Sequence, residues 1–326
     1  MPAVDAQVFI MEEGTPGTLE ATPGAGDVID FHTFSVRKAG TTFQQRPVVR
    51  AHQDRVPGKR GHGVWFEGDF ATEVKACVSG FSLRPEIGNI LKASGFSQTE
   101  DAGVSWTYAL LDDPNAAATE FSTTVTKEMS ADGIFVQSHG ARFGELVFSG
   151  NSEGQLELSG KWAGGYNLPT DQGTLTSPTY RTGNPLVVLD SSAPIALADG
   201  YQPILSDVSI SVGNSVKVNR DMALAANHFV DLPTTVVRDA SSPVTMALDI
   251  QLVDISAHDF WSKWNAASID TTTRAVKWSD GTYYMQASLE NIQYQQLEVV
   301  TGVPNMYRVV VQAGQSSASS LSLKFG

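Results

Sequence analysis

The chain has 326 residues, enough for two domains with ordinary cores, and only 17 % of them are charged, so Ser, Thr, Asn, Gln and Gly must make up much of the surface. Its formal charge of −13, shared by both halves, sets it against duplex DNA, whose binding depends on cationic side chains that release counterions. A lone Cys77 excludes an internal disulfide and a cysteine-built zinc site, the acidic N-terminus MPAVDAQVFIMEEG is no secretory signal, and no apolar run nears the ~18 residues of a membrane helix.

Residues 1–63 are rich in Gly, Pro and Thr with weak alternation and read as an extended arm carrying one or two strands. Inside it RPVVRAHQDRVPGKRGHG holds Arg46, Arg50, Arg55, Lys59 and Arg60, a basic run in an acidic chain. It is either a solvated loop or an arm that docks on an acidic surface of another copy. Residues 64–166 form a first β domain. VWFEGDFATEVKACV is followed by the helical stretch RPEIGNILKAS, with Pro85 in its first turn, and then by WTYALLDD and FSTTVTKEM. Asp132-Gly133 marks a tight hairpin into IFVQ. In ARFGELVFSGNSEGQLELSGKWAGG, Leu146, Phe148, Leu156, Leu158 and Trp162 alternate with Glu145, Gln155, Glu157, Ser159 and Lys161. This period-two ribbon has one apolar face, while its other face meets water, a ligand or a neighbour.

Residues 167–194, slack in Pro, Gly, Thr and Ser, read as a linker. Residues 195–326 form a second β domain. Val208, Ile210 and Val212 face one way and Asp207, Ser209 and Ser211 the other, and Gly213 and Asn214 are expected to supply the positive-φ positions of a turn. TMALDIQLV, YYMQASLENI, YRVVVQAG and SLSLKF continue the pattern. The helical piece AHDFWSKWNAA places Phe260, Trp261 and Trp264 at core spacing. Both halves share one layout of strands, a short helix, an Asp-Gly turn and closing strands. Two tandem β-sandwich or partial-barrel domains, each with one short helix, are therefore expected.

Chemistry is sparse. Gly150-Asn151-Ser152-Glu153-Gly154 matches G-x-S-x-G, but it joins two alternating strands, whereas a nucleophile elbow needs a strand running into a helix. The six histidines form no i, i+4 pair. Asp112 and Asp113 start a turn before Pro114, and Glu12 and Glu13 sit in the arm, so neither pair is expected to do acid catalysis. There is no phosphate loop or dinucleotide fingerprint, so neither an enzyme nor a cofactor or metal is expected.

The arm RPVVRAHQDRVPGKRGHG, the helix in FSLRPEIGNILKASGF, the tract GARFGELVFSGNSEGQLELSGKWAGGY and the second-half tract DVSISVGNSVKVNRDM, followed by TMALDIQLVD and DFWSKWNAA, together resemble tail tube proteins of long-tailed bacteriophages. The order of these weak motifs, from about Arg46 to the C-terminus, carries the resemblance. It implies an all-β tail-tube fold, no active site, and a virion structural protein assembled in the host cytoplasm. Its partners would be its own copies in stacked rings, the tape measure, the distal and terminator rings, and DNA passing without specific binding. If each domain gives about four strands to an inner barrel, three chains give about 24, and a cylinder of such strands spaced ~4.8 Å and tilted ~40° is ~48 Å across, wide enough for a duplex. A trimeric ring with pseudo-sixfold symmetry is expected, with a hexamer the alternative if one domain alone lines the channel. Glu145, Gln155, Glu157, Asp207, Ser209 and Ser211 are then candidates for the lumen, and Arg46, Arg50, Arg55, Lys59 and Arg60 for contacts between rings. The competing readings are another ring component of the tail, a sugar-binding adhesion module and a hydrolase built on Ser152.

Overall fold

The computed structural model describes the chain apart from residues 1–5, 21, 41–42, 45–58, 61–63, 78–80, 82, 117–118, 130–132, 152–153, 172–176, 190–204, 219–233, 239–241, 252–258, 267, 272, 302–304 and 315–318. The fold is all-β, with two α-helices among the described residues. In the first half the strands are β1 (Ala6–Glu12), β2 (Phe31–Phe34), β3 (Arg37–Ala39), β4 (Phe43–Gln44), β5 (Lys59–Arg60), β6 (Trp65–Glu73), β7 (Phe96–Asp101), β8 (Ser105–Leu110), β9 (Thr123–Met129), β10 (Ile134–Asn151) and β11 (Glu157–Gly165). Helix α1 (Gly88–Ala93) precedes β7. The short β12 (Thr170–Asp171) and β13 (Val188–Leu189) lead to β14 (Leu205–Ser211), β15 (Asn214–Val218), β16 (Thr234–Arg238) and β17 (Thr245–Gln251). Helix α2 (Phe260–Ala266) then precedes β18 (Arg274–Ser279), β19 (Tyr284–Leu289), β20 (Ile292–Val300), β21 (Met306–Ala313) and β22 (Leu321–Phe325).

A long antiparallel sheet runs β2-β6-β11-β10-β14-β17-β21-β20, and a second sheet runs β13-β18-β19-β22-β8-β7. Each half supplies four strands of the long path. The halves meet edge to edge, where β14 pairs with β10 and β22 with β8. Between the sheets lies one apolar core, in which Phe70, Phe143, Phe148 and Trp162 of the first half join Met246, Trp278, Leu323 and Phe325 of the second. Cys77 lies in it, and burial pushes its thiol up to about 12, so it stays protonated and unreactive at neutral pH.

Much of the segment read as an arm is woven into this body. In β1 the run Phe9, Ile10 and Met11 is buried and pairs with β9, and β2 and β3 lie along β6 at the border of the long sheet. Glu13, expected in a loose arm, is instead buried. Its carboxylate accepts from the amides of Gly17 (2.7 Å) and Gly140 (2.7 Å) and from the hydroxyls of Ser122 (2.5 Å) and Thr124 (3.0 Å). The contact with Gly140, whose φ is 58°, falls where β9 and β10 shift register between Ser138 and Ala141. The described part of the segment read as a linker is likewise stitched in. The Leu186 amide donates to the Val74 carbonyl, its own carbonyl accepts from Leu156, and its side chain is fully buried.

Helix α1 is shorter than its sequence pattern suggests. Around Pro85 the chain makes a turn, the Gly88 amide donating to the Pro85 carbonyl, before α1 buries Ile90, Leu91 and Ala93. Helix α2 buries Phe260 alone; Trp264, expected in the core, is exposed. One turn also differs. Gly213 has φ 67°, but Asn214 is not left-handed: it begins β15, and its buried amide donates to the Ser94 carbonyl at 2.8 Å. A side chain with an acceptor to satisfy in the core holds Asn214 in the strand, which leaves the glycine to make the bend alone.

Candidate functional site

Among the described residues the second face of the long sheet carries partly exposed and exposed side chains, and the strand registers assign them. Phe148 pairs with Leu158 and Ile210, and Ile210 with Met246, which makes one buried row across the sheet. The neighbouring row must point to the other face because side chains alternate along each strand. That row runs Glu73, Glu157, Ser149, Ser209, Ala247 and Val310. Another row places Asp207 opposite Asp249, Asp249 opposite Arg308, and Arg308 opposite Glu298.

All six candidates for a lumen lie on this face. Ser209, Asp207 and Glu157 occupy these rows, Ser211 lies two residues past Ser209 on β14 opposite Thr245, and Gln155 joins Glu157, Asp207 and Ser209 around a shallow hollow of about 420 Å³. Glu145 stands at the bulge between Gly144 and Val147 with φ 52°, a strained conformation for a residue other than glycine. Its carboxylate is held by Lys161 at 2.6 Å. Of the arm cations, Lys59 and Arg60 form the two-residue β5 paired with β4, while Arg46, Arg50 and Arg55 lie outside the described residues.

The cations of this face are masked. Arg37 meets Glu67 at 3.0 Å, Lys161 meets Glu145, and Arg308 grips Asp249 with two bonds of 2.8 and 2.7 Å. Asp249 holds the Arg308 guanidinium above its usual range by hydrogen bonding and charge, and Glu145 does the same for the Lys161 amine. Exposed pairs of this kind add little stability, but each cancels a positive charge. Asp69, Glu157, Asp207 and Glu298 then leave the face acidic as a whole.

One buried cluster sits at the end of β6. Lys75, 6 % exposed, bonds Asp30 and lies 3.3 Å from Glu86 and 3.5 Å from Glu73. Burial raises the Glu86 carboxyl above its usual range despite Lys75. Burial also pulls Lys75 down, but its bond to Asp30 and the charges of Glu86 and Asp30 outweigh this and leave it raised. Lys75→Met would strand these carboxylates around an apolar side chain, at an expected cost of about 3 kcal/mol at pH 7. Without the cation Glu86 binds its proton still more tightly in the folded state than in the unfolded one. The variant should therefore regain stability as pH falls from about 7 toward 5, narrowing its gap to the parent. Urea denaturation at a series of pH values measures this, and a gap independent of pH would contradict it.

Among the described residues no group of three or more His, Cys, Asp or Glu side chains is arranged to hold a metal. Ser152 lies outside the described residues, and the elements flanking it are the strands β10 and β11 rather than a strand and a helix. No described helix is long and apolar enough to cross a membrane.

Among the described residues no further strand pairs with the long sheet beyond β2-β3 at one end and β20 at the other. At one end, β2 and β3 lie in line beside β6, broken at Ser35, whose carbonyl accepts from Trp162 Nε1 at 3.1 Å. At the other end β20 has β21 as its strand partner, with a bulge at Gln295 between Tyr294 and Gln296. Arg37 at the first end is already paired with Glu67, which leaves exposed Lys38 there and exposed Glu298 at the second end. Sequence reasoning named the acidic face through its alternation but missed these ends, because which strand lies last in a sheet depends on pairing between distant segments.

No family model matches the chain, and no curated protein matches it.

Proposed function

We propose that this chain is the subunit of a phage-type tail tube, closing into a ring through the two ends of its long sheet and stacking into a conduit for DNA. The observation that carries the reading is the eight-stranded path, four strands from each half, with one apolar and one largely polar face. Three copies joined end to end make about 24 strands, the number that gives a cylinder ~48 Å across and room for a hydrated duplex. Backbone pairing between the β2-β3 end of one copy and β20 of the next removes both open ends at once. The cationic and anionic side chains at those ends favour that order of meeting.

On this reading the polar face lines the channel. Its unpaired carboxylates repel phosphate, and the described cations Arg37, Lys161 and Arg308 are already engaged, so DNA slides without being held. Concentrating the purified protein should yield rings and then filaments with an axial hole in negative-stain images. A particle that remains a monomer at every concentration refutes the reading, and one that stops at a single ring points to an end piece of the tail instead. The double variant Glu157→Lys, Asp207→Lys should turn a slippery channel into a sticky one. Filaments of the variant should retain short duplex DNA at about 50 mM salt and release it steeply as salt rises, whereas parental filaments retain none. Equal retention by both would show that this face does not line the channel.

A further inference from the structure

A small cavity of about 160 Å³ opens beside the N-terminal strand. It forms where the following chain leaves β1: the Ile29 amide donates to the Val8 carbonyl at 3.0 Å, but the next amide, that of Asp30, turns to the Glu86 carboxylate at 3.1 Å. Val8, Ile29, Phe31 and Phe34 wall the cavity, and Asp30 and Tyr180 stand beside them. Lys127 of β9 is the register partner of Val8, and its amine donates to the Phe34 carbonyl at 3.2 Å within the same lining. Among the described residues no carboxylate pairs with that amine, and burial alone pulls it below its usual range. Asp30, on the same wall, is already bonded to Lys75. A partly buried cation without a counter-ion is unusual, because charges withdrawn from water are ordinarily paired.

We infer that this cavity binds a small monocarboxylate with an apolar body, the carboxylate held by Lys127 and the body lying among Val8, Ile29, Phe31 and Phe34. An ammonium has three donors and the Phe34 carbonyl takes one, so the others are left for the oxygens of a ligand. The volume suits a body about the size of benzene, which a cavity of ~150 Å³ accommodates. One cation with the Asp30 carboxylate on the same wall favours a single negative charge over the higher charge of a phosphate ester. The carboxylate belongs to a free acid or to the last residue of another polypeptide, since both present the same group to Lys127. The inference makes no use of the tube reading and stands or falls without it.

The test is a ligand-observed NMR titration with benzoate, with neutral benzamide, and with the peptide acetyl-Gly-Gly-Phe as free acid and as amide. Benzoate should bind the parent with a Kd on the order of 1 mM, an ordinary efficiency for its size. Benzamide should bind about tenfold more weakly, and Lys127→Met should weaken benzoate by about the same factor, the worth of a charge-assisted hydrogen bond. Thermal melting checks that the variant is folded. Parental affinity for benzoate should also fall as pH rises from about 8 to about 10, because the already lowered amine gives up its proton and the attraction goes with it. That arm needs no variant, so it decides the matter if Lys127→Met misfolds. Binding of the free-acid peptide but not of its amide assigns the carboxylate to a chain terminus, and binding of benzoate alone assigns it to a free acid. No binding of either carboxylate at about 20 mM, well above the expected Kd, overturns the site. So does benzamide binding as tightly as benzoate, or a folded Lys127→Met that binds benzoate like the parent.

Discussion

Trp162→Ala is expected to cost about 4 kcal/mol of stability, the range for deleting a large buried aromatic, and, on the proposed ring reading, to abolish ring closure. The indole is 2 % exposed and does two jobs at one end of the long sheet. It stacks on Phe34 of β2 with centroids 5.3 Å apart, and its Nε1 donates to the Ser35 carbonyl at the break between β2 and β3. Gly68 on the neighbouring strand makes room for this approach, since a Cβ there would collide with the same carbonyl. Removing the indole therefore leaves a cavity and loosens the edge proposed to meet the next copy. Trp162→Phe separates the two roles: it keeps the stacking, loses the bond, and should cost only about 1–2 kcal/mol. Chemical denaturation gives the stabilities and sedimentation gives the ring. A Trp162→Ala chain that assembles normally below its melting temperature would show that the β2-β3 end takes no part in closure.

Glu13→Ala should be about as damaging, near 4 kcal/mol, for a different reason. Four donors converge on one buried carboxylate, two of them backbone amides, and each buried donor left without an acceptor costs roughly 1–3 kcal/mol before relaxation and water recover part of the loss. Glu13→Gln retains one oxygen and should lose about half as much. The damage should be local in character: hydrogen exchange ought to quicken first at Gly17 and Gly140, where the carboxylate ties the N-terminal strand to the register shift of β10. Uniform quickening across the molecule would mean that Glu13 does not act as this pin.

How much of this was legible in the sequence differs from element to element. The alternation through Leu146, Phe148, Leu158 and Trp162, and again through Val208, Ile210 and Val212, assigned inner and outer faces correctly, because period-two patterning is a local property that survives any pairing. Which strands become neighbours was not legible. Nothing near Val147 announces Ser211, and nothing near Tyr108 announces Leu323, since these pairings cross gaps of many residues and are decided by the core as a whole. Glu13 was misjudged for a related reason: a glutamate beside Gly and Pro reads as solvated until its four donors, three of them more than a hundred residues away, are brought to it. Trp264 broke the helical-spacing rule because its helix lies beside a sheet end rather than over a sheet face.

Strand β10 holds 18 residues, close to 60 Å at ~3.3 Å per residue. Its first part is flanked by β9 and β12, its second by β11 and β14, so one uninterrupted ribbon belongs to both the N-terminal corner and the long sheet. The ribbon acts as a crossbeam. A push or pull on the corner formed by β1 and β9 meets hydrogen bonds in shear rather than a loop that can slacken, and the load passes directly into the sheet. In a stack of such subunits, a displacement imposed at one end would travel as a nearly rigid shift through the column.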